Sequence, residues 1–419
     1  MIAEGFSFMS KSGRALRQVV KKQASVVAAE RSILWVSNAP WAGTGYGTQC
    51  AQVVGRIAGD GHKIAVNANY GFEAGNTSVG LRGNEITIYG SGFGQWRTDA
   101  IKANAMHWST VNQSDPLIVT LCDVWTLKRD DVGDIPTLSW TPVDHAPLPA
   151  KVAAWFQNDN VTAVAMSKFG KAMFDGAGIE SVYIPHAFEP DIFKPTPLID
   201  LGGGNVKSGR ELLGISNDRF VVMMNSANKG VTPNRKAFGE NLLAFAMFAA
   251  DKPDALLYLH TEQFGAMGGI DLLKLAKACN INDEQIKFVD QYAYRSQIAA
   301  PVLAGIYSAA DVLLSVSRGE GFGIPVIEAQ ACGVPVIVSD WTAQPELVGD
   351  GWVVKTQPEW DAMQDAWFGT PLVADIVDAL NQAYERGQGT SQRAIDFVQQ
   401  YNADTVFNDC WRPLLKASL

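Results

Sequence analysis

Several features that mark other protein classes are missing from this 419-residue sequence. Its five cysteines show no C-x-x-C spacing and are odd in number, which favours reduced thiols over a disulfide framework or a zinc site. No run of about 18 apolar residues occurs, so the sequence predicts no membrane-spanning helix. The first residues lack the basic segment, apolar core and cleavage site of a secretion signal, and we therefore expect a cytoplasmic protein.

The charge balance limits the partners as well. Acidic residues outnumber basic ones by 43 to 34, which gives a formal net charge of −9 and disfavours a chain-wide nucleic-acid surface. Basic residues nevertheless gather in a predicted amphipathic helix within residues 14–31. That helix could pack on the protein with a solvated basic face, or it could bring the protein to a membrane surface or a nucleic acid.

The order of apolar and amphipathic segments predicts the fold class. The length suffices for two domains with a core each. Short apolar runs typical of buried strands alternate with helical segments in both halves of the chain. This alternation predicts an α/β protein with two doubly wound parallel sheets, whose ligands would bind at the carboxyl ends of the strands.

The most informative segment runs from Ser317 to Ile337. It is predicted to be a glycine-rich loop followed by a short helix, with Pro325 in the first helical turn and Gly333 just past the helix end. Backbone amides at the start of this helix would favour an anion, because they lie at the positive end of the helix dipole. These amides belong to Gly321, Phe322, Gly323 and Ile324.

Two carboxylates accompany this predicted anion site. Glu320 lies in the loop and Glu328 lies one turn inside the helix. Either residue alone is explained as a solvated acid. As a pair they would accept hydrogen bonds from sugar hydroxyls on both sides of the anion, each worth about 1.5–3 kcal/mol for a charged acceptor. A nucleotide sugar, with a diphosphate between two hydroxyl-rich groups, fits this pattern.

The segment Gly319–Val336, which reads G-E-G-F-G-I-P-V-I-E-A-Q-A-C-G-V-P-V, resembles the E-x7-E signature of the retaining glycosyltransferases of family 4 (glycosyltransferases group 1). The resemblance implies the GT-B fold, with two Rossmann-like lobes and an interdomain cleft. It also implies an enzyme that moves a hexose from a UDP- or GDP-sugar to an acceptor hydroxyl, with retention of configuration and without a metal or a tightly bound cofactor. Glu320 would contact the donor sugar and Glu328 the ribose hydroxyls.

Within that fold, the sequence divides into five predicted parts. They are an N-terminal arm with the basic helix (1–31), an acceptor-side lobe (32–195), a linker region (196–218), a nucleotide-sugar-binding lobe (219–390) and a C-terminal helix that crosses back to the first lobe (391–419).

Cations at the start of a helix gave a further prediction in the second half. Arg235 and Lys236 oppose the helix dipole there, and a bound diphosphate would explain both. The resemblance implies that such residues neutralise the leaving diphosphate. Asn225 stands where these enzymes usually have an arginine, so Lys229 or Arg235 would have to replace that arginine.

Two further candidates lie in the first half. His145 follows a predicted strand, and the resemblance implies that it contacts the donor sugar, with Asp144 as a neighbour; bonding to loop carbonyls is the alternative. Gly43 and Gly45 follow the first predicted strand and open a helix, which is typical of a ligand site at a sheet edge. Their spacing is not the dinucleotide fingerprint, so NAD is disfavoured.

The acceptor and even the class of function remain open at this stage. The acceptor could be a glycan, a lipid, a protein or a hydroxymethylated base of bacteriophage DNA. A non-catalytic, two-lobed binding protein for sugars or nucleotide sugars is the alternative from another class. An epimerase or a phosphorylase on the same fold fits less well, because neither explains the E-x7-E loop.

Overall fold

The computed structural model of the chain describes residues 31–230 and 234–419. The basic helix predicted within residues 14–31 lies outside the described residues, apart from Arg31, which begins the first strand. The chain forms two compact units. The first unit holds the described residues up to Val143 together with Pro147–His186 and Ala403–Leu419, and the second holds Asp144–Ala146 and Ala187–Asn402.

The first unit is built on an eight-stranded sheet in the order β3-β4-β2-β1-β5-β6-β7-β8. Neighbouring strands are parallel, except that β3 and β4 form an antiparallel hairpin at one edge. Because helices cover a parallel sheet on both faces, its central strands are buried apolar runs, as the sequence predicts. The strands are β1 (Arg31–Asn38), β2 (Ile64–Tyr70), β3 (Asn76–Leu81), β4 (Asn84–Tyr89), β5 (Asp115–Leu121), β6 (Thr137–Thr141), β7 (Val161–Ala165) and β8 (Ser181–Tyr183).

The helices of the first unit come from both ends of the chain. They are Gly45–Gly59, Ile101–Asn112, Arg129–Val132, Ala150–Trp155 and Lys168–Gly176, followed much later by Ala403–Val406, the π-helical turn Phe407–Trp411, and Arg412–Ser418. The C-terminal pieces are held by Trp411, which is buried and contacts the rings of Trp35 and Trp140.

The segment expected to form one helix over 391–419 is broken into pieces. Asn402 is extended and separates Gln392–Val398 and a short 3-10 turn from the pieces that follow. Pro413 then has no N–H to donate to the carbonyl of Asp409, and the π-helical turn Phe407–Trp411 lies at this point of the chain.

The second unit contains a six-stranded parallel sheet in the order β13-β12-β11-β14-β15-β16, with two separate antiparallel pairs, β9–β10 and β17–β18. The strands are β9 (Ile199–Asp200), β10 (Val206–Lys207), β11 (Phe220–Asn225), β12 (Ala255–His260), β13 (Ile286–Phe288), β14 (Val312–Ser315), β15 (Val336–Ser339), β16 (Gly351–Val354), β17 (Thr356–Asp361) and β18 (Ala366–Pro371). The helices are Gly209–Leu213, Phe238–Ala249, Leu272–Ala278, Gln291–Arg295, Ala300–Tyr307, Ile324–Ala331, Val373–Arg386 and Gln392–Val398.

The span 196–218, expected as a linker, carries the β9–β10 pair and the helix Gly209–Leu213. Ile199 in this span is buried and lies so close to Gly305 that a Cβ at that glycine would collide with its side chain. The span belongs to the second unit.

The strand order of the second unit indicates where in the sheet its candidate residues lie. The order reverses between β11 and β14, and a doubly wound sheet binds ligands at such a switch point, beyond the carboxyl ends of the strands. The segment after β11 leads to Arg235 and Lys236, and the segment after β14 carries Glu320.

Candidate active site

The loop after β14 has little steric freedom. Gly323, which precedes the helix Ile324–Ala331, has φ = 122°, a backbone conformation that glycine adopts easily and other residues rarely adopt. A Cβ at Gly319 would collide with the carbonyl oxygen of Asp144. The predicted loop and helix are therefore present, and two of the glycines are required by backbone conformation or by close packing.

Glu320 is the centre of an ion cluster. Its side chain is buried, and Arg235 Nη1 donates to Oε2 at 2.8 Å while Lys236 Nζ donates to Oε1. Burial alone would raise the pKa of Glu320, but the charges of Arg235 and Lys236 outweigh burial and lower the pKa to about 2. Glu320 is therefore ionised throughout the neutral range.

The two cations are held in place by the backbone around them. Arg235 Nη1 also donates to the carbonyl oxygen of Gly319 at 2.6 Å, and its own carbonyl accepts from the N–H of Arg318 at 2.8 Å. Ala237 has φ = 48°, so the chain turns sharply between these cations and the helix Phe238–Ala249. The sequence pointed to a bound diphosphate as the reason for the cations. In the structure both cations contact the single carboxylate of Glu320, which offsets one of their two positive charges, and Asp144 Oδ2 lies 3.8 Å from Arg235 Nε.

His145 lies in the same cluster. Its Nδ1 is 2.7 Å from Asp144 Oδ1, its Nε2 is 3.2 Å from Asp361 Oδ2, and its ring packs on that of Phe368 with centroids 3.9 Å apart. The side-chain partners of His145 are thus carboxylates, and the alternative of loop carbonyls is not what these contacts show. Burial alone would raise the pKa of Asp144, but the hydrogen bond with His145 and the charge of Arg235 lower it.

Glu328 belongs to a second, neighbouring group on the helix Ile324–Ala331. The buried hydroxyl of Tyr307 donates to Glu328 Oε2 at 3.0 Å and accepts from Asn225 Nδ2 at 2.7 Å. Burial raises the pKa of Glu328 to about 8, although the hydrogen bond from Tyr307 opposes the rise. The two glutamates of the E-x7-E segment therefore differ in charge at neutral pH.

The remaining predicted residues do not join the ion cluster. Lys229 is exposed in the segment before residues 231–233, which lie outside the described part of the chain. Phe322 is buried and its ring contacts Tyr401. Gly43 and Gly45 belong to the first unit, where both are exposed beside the N-terminus of the helix Gly45–Gly59. That helix is capped by Thr44, whose Oγ1 accepts from the N–H of Gly47.

Comparisons with known proteins agree with this architecture. Residues 241–368 match the family model of glycosyl transferases group 1. Sucrose-phosphate synthase from Thermosynechococcus elongatus aligns with a TM-score of 0.67 at 17% identity, over 92% of this chain and 100% of its own. HepE of Anabaena in complex with UDP-glucose aligns with a TM-score of 0.65 at 17% identity, over 92% of this chain and 99% of its own. The chain has the GT-B fold.

A further structural neighbour is the UDP-forming α,α-trehalose-phosphate synthase from Burkholderia vietnamiensis, with a TM-score of 0.63 at 14% identity, over 93% of this chain and 97% of its own. Comparison with curated protein sequences gave no match. At these identities the structural likeness establishes the GT-B fold alone. The family-model match covers Glu320 and Glu328, whereas Arg235, Lys236 and His145 lie outside it.

The sequence did not predict three residues of this candidate site. Asp361 contacts His145 from the β17–β18 hairpin, and Tyr307 joins Asn225 to Glu328. Arg318 contacts Glu240, Glu359 and Thr370 through its guanidinium. Only Arg318 carried a local signal, because it stands directly before the G-E-G-F-G segment. The others are brought to the site by the fold.

In residues 31–230 and 234–419, no group of three or more His, Cys, Asp or Glu side chains is arranged to hold a metal ion. Among the helices of the same residues, none is both long and apolar enough to cross a membrane.

Proposed function

We propose that this protein is a retaining glycosyltransferase that moves a hexose from a nucleoside diphosphate sugar to an acceptor hydroxyl. The observation that carries the proposal is the buried Glu320 with its two cations, Arg235 and Lys236, at a glycine loop that opens a helix. This arrangement offers positive charge for a diphosphate and an ionised acceptor for sugar hydroxyls within one cluster. The family-model match over residues 241–368 supports the same class.

In this proposal the cations act on the leaving group. The reaction breaks the bond between the anomeric carbon and a diphosphate oxygen and forms a bond from that carbon to the acceptor oxygen. Negative charge develops on the diphosphate, where Arg235, Lys236 and the amides of residues 321–324 would stabilise it without reorganising. The acceptor proton passes to the diphosphate oxygen on the same face, which retains configuration. Glu320 orients the sugar, and Glu328 contacts the ribose.

The first unit favours a glycan among the possible acceptors. Aromatic side chains are exposed at the carboxyl edge of its sheet, among them Tyr70 and Trp96. Both line a pocket of about 500 Å³. Among the residues that line the pocket, Glu73 and Arg97 form an ion pair at 3.1 Å, so the lining carries no net charge. A DNA backbone requires several unpaired cations, whereas sugar rings stack on aromatic faces beside polar groups.

The donor half of the proposal is tested with a panel of UDP-, GDP- and ADP-sugars. Thermal unfolding should shift upward with one nucleotide class, by about 2.7 kcal/mol in stability at a hundredfold excess over Kd. Slow release of free sugar from the same donor should accompany binding, because water replaces the acceptor. Absence of both effects across the panel would overturn the proposal. Binding without hydrolysis or transfer would instead favour the non-catalytic binding protein.

The acceptor half is tested by transfer of labelled sugar to oligosaccharides, phospholipid vesicles and hydroxymethylated DNA. We expect label on an oligosaccharide, and Trp96→Ala should raise the acceptor KM while leaving donor hydrolysis unchanged. Phe93→Ala is the matched control, because Phe93 is exposed nearby but does not line the pocket. Transfer to DNA or lipid alone would refute the glycan assignment and leave the donor chemistry intact.

A further inference from the structure

The β17–β18 hairpin contributes to the ion cluster in a way that neither the sequence motif nor the proposed reaction requires. It follows β16 and precedes the helix Val373–Arg386. Its second strand pairs with the segment Asp144–Ala146: the N–H of Trp367 donates to the carbonyl of Ala146 at 2.7 Å, and the reverse bond is 3.2 Å. The N–H of Gly369 donates to the carbonyl of Arg318 at 2.9 Å. The hairpin is thus fixed on both sides of the cluster.

Asp361 is the residue that the hairpin presents to His145. Its side chain is 10% exposed. Oδ2 lies 3.2 Å from His145 Nε2, while Oδ1 accepts from the N–H of Met363 at 2.8 Å in the hairpin turn. Both carboxylate oxygens are therefore engaged, and the turn sets the direction of the carboxylate.

The imidazole of His145 has a carboxylate at each nitrogen. A neutral ring carries one N–H and can donate to only one of them, so both contacts are hydrogen bonds only when both nitrogens carry hydrogen. Two such bonds, together with the packing of Phe368 against the ring, fix its plane. Both ring nitrogens of His145 therefore face carboxylates of this protein.

Acidic and basic side chains alternate in a series of contacts that ends at the proposed diphosphate site. Asp361 contacts His145, which contacts Asp144; Asp144 Oδ2 then lies 3.8 Å from Arg235 Nε, and Arg235 contacts Glu320. Because each partner restricts the next, we expect a change at the hairpin to affect the position of the guanidinium. All of these residues belong to the second unit.

We propose that Asp361 is a positioning residue, which acts through His145 and Asp144 to hold Arg235 in place for the donor diphosphate. The inference rests on the proposed function. It gives the hairpin a role in donor turnover and gives His145 the role of a connector within the protein.

The test compares Asp361→Asn with Asp365→Asn. Both substitutions remove one negative charge from the same hairpin, but Asp365 is exposed in the turn, at φ = 51°, a conformation that asparagine tolerates well. Because Asp361→Asn removes a carboxylate partner of His145, we expect kcat to fall about tenfold to a hundredfold. The acceptor KM should change little. Asp365→Asn should be indistinguishable from wild type. Asp361→Glu, which keeps the carboxylate, should recover part of the rate.

A second readout follows the ring itself. In ¹⁵N NMR of the histidine side chains, the ring signals of His145 should differ between the wild type and Asp361→Asn, because the group facing Nε2 changes, and should be the same in the wild type and Asp365→Asn. A wild type that binds and hydrolyses no nucleotide sugar would refute the proposed function. An active wild type with Asp361→Asn equal to Asp365→Asn in both kcat and the His145 spectrum would refute the positioning role. Loss of turnover with an unchanged His145 spectrum would also refute it, because the effect would not pass through the ring.

Discussion

The stability of the second unit should depend on pH through Glu328. This residue is buried on the helix Ile324–Ala331, and burial raises its pKa from the ordinary 4.5 to about 8. Glu328→Gln is a suitable perturbation, because the neutral amide has nearly the same shape and its oxygen can still accept from the hydroxyl of Tyr307.

The sign follows from which state binds the proton. Between pH 4.5 and about 8 the folded chain keeps Glu328 protonated and the unfolded chain does not, so the free energy of unfolding falls as pH rises through this window. The shift corresponds to about 5 kcal/mol, at about 1.4 kcal/mol for each pH unit. Above about pH 8 the contribution is constant. The glutamine variant lacks this dependence.

The assay is urea unfolding of both proteins from pH 4.5 to 9. As pH rises from 4.5 to about 8, the free energy of unfolding of the variant should increase by about 5 kcal/mol relative to that of the wild type. Using the difference removes other titrations, such as that of His260, whose pKa burial lowers to about 4 and whose effect has the opposite sign. Glu385→Gln, at an exposed position of the helix Val373–Arg386, is the control for the loss of a surface carboxylate. A difference for Glu328→Gln that stays within about 1 kcal/mol would refute the reasoning.

Three further predictions concern Glu320, Glu328 and a glycine of the first unit. Glu320→Gln should lower the free energy of unfolding by about 3 kcal/mol at pH 7, as measured by urea unfolding. This loss should disappear as pH falls from 4.5 towards 2, because the charges of Arg235 and Lys236 stabilise only the ionised form of Glu320. If the ribose contacts ionised Glu328, the affinity for UDP measured by calorimetry should rise with pH up to about 8 in wild type and stay flat in Glu328→Gln. Gly47→Ala should destabilise the first unit by about 1–3 kcal/mol in thermal unfolding, since its Cβ would collide with the carbonyl of Ala42, whereas Gly59→Ala meets only Asn84 at 3.8 Å and should be neutral.

Local signals explain what the sequence predicted well. The strand, glycine loop and helix around Glu320 follow from side-chain hydrophobicity, glycine conformation and the place of Pro325, all of which act within a few residues. The two doubly wound sheets follow from the alternation of strands and helices in the same way. The end of the chain shows the limit, because one helix is predicted over 391–419, whereas the structure has an extended Asn402 and a new helix that starts beside Pro413.

Partners distant in sequence explain what was missed. Nothing near residue 361 indicates that its carboxylate lies against His145, since the two residues are 216 positions apart in the sequence. Likewise, nothing near Arg235 and Lys236 in the sequence indicates that Glu320 contacts both of them in the folded chain. A buried ion pair and a phosphate site need the same cations, so sequence alone cannot separate the two.

The protonation of the two glutamates bears on how the proposed transfer would proceed. With a pKa of about 2, Glu320 is ionised at every working pH and can only accept hydrogen bonds, which suits contact with sugar hydroxyls and makes it a poor base. Glu328 has a pKa nearer the working range, but it is buried against Tyr307. His145 gives its two nitrogens to carboxylates. In the proposed transfer the acceptor proton therefore has its best recipient in the leaving diphosphate, which agrees with the same-face attack proposed above.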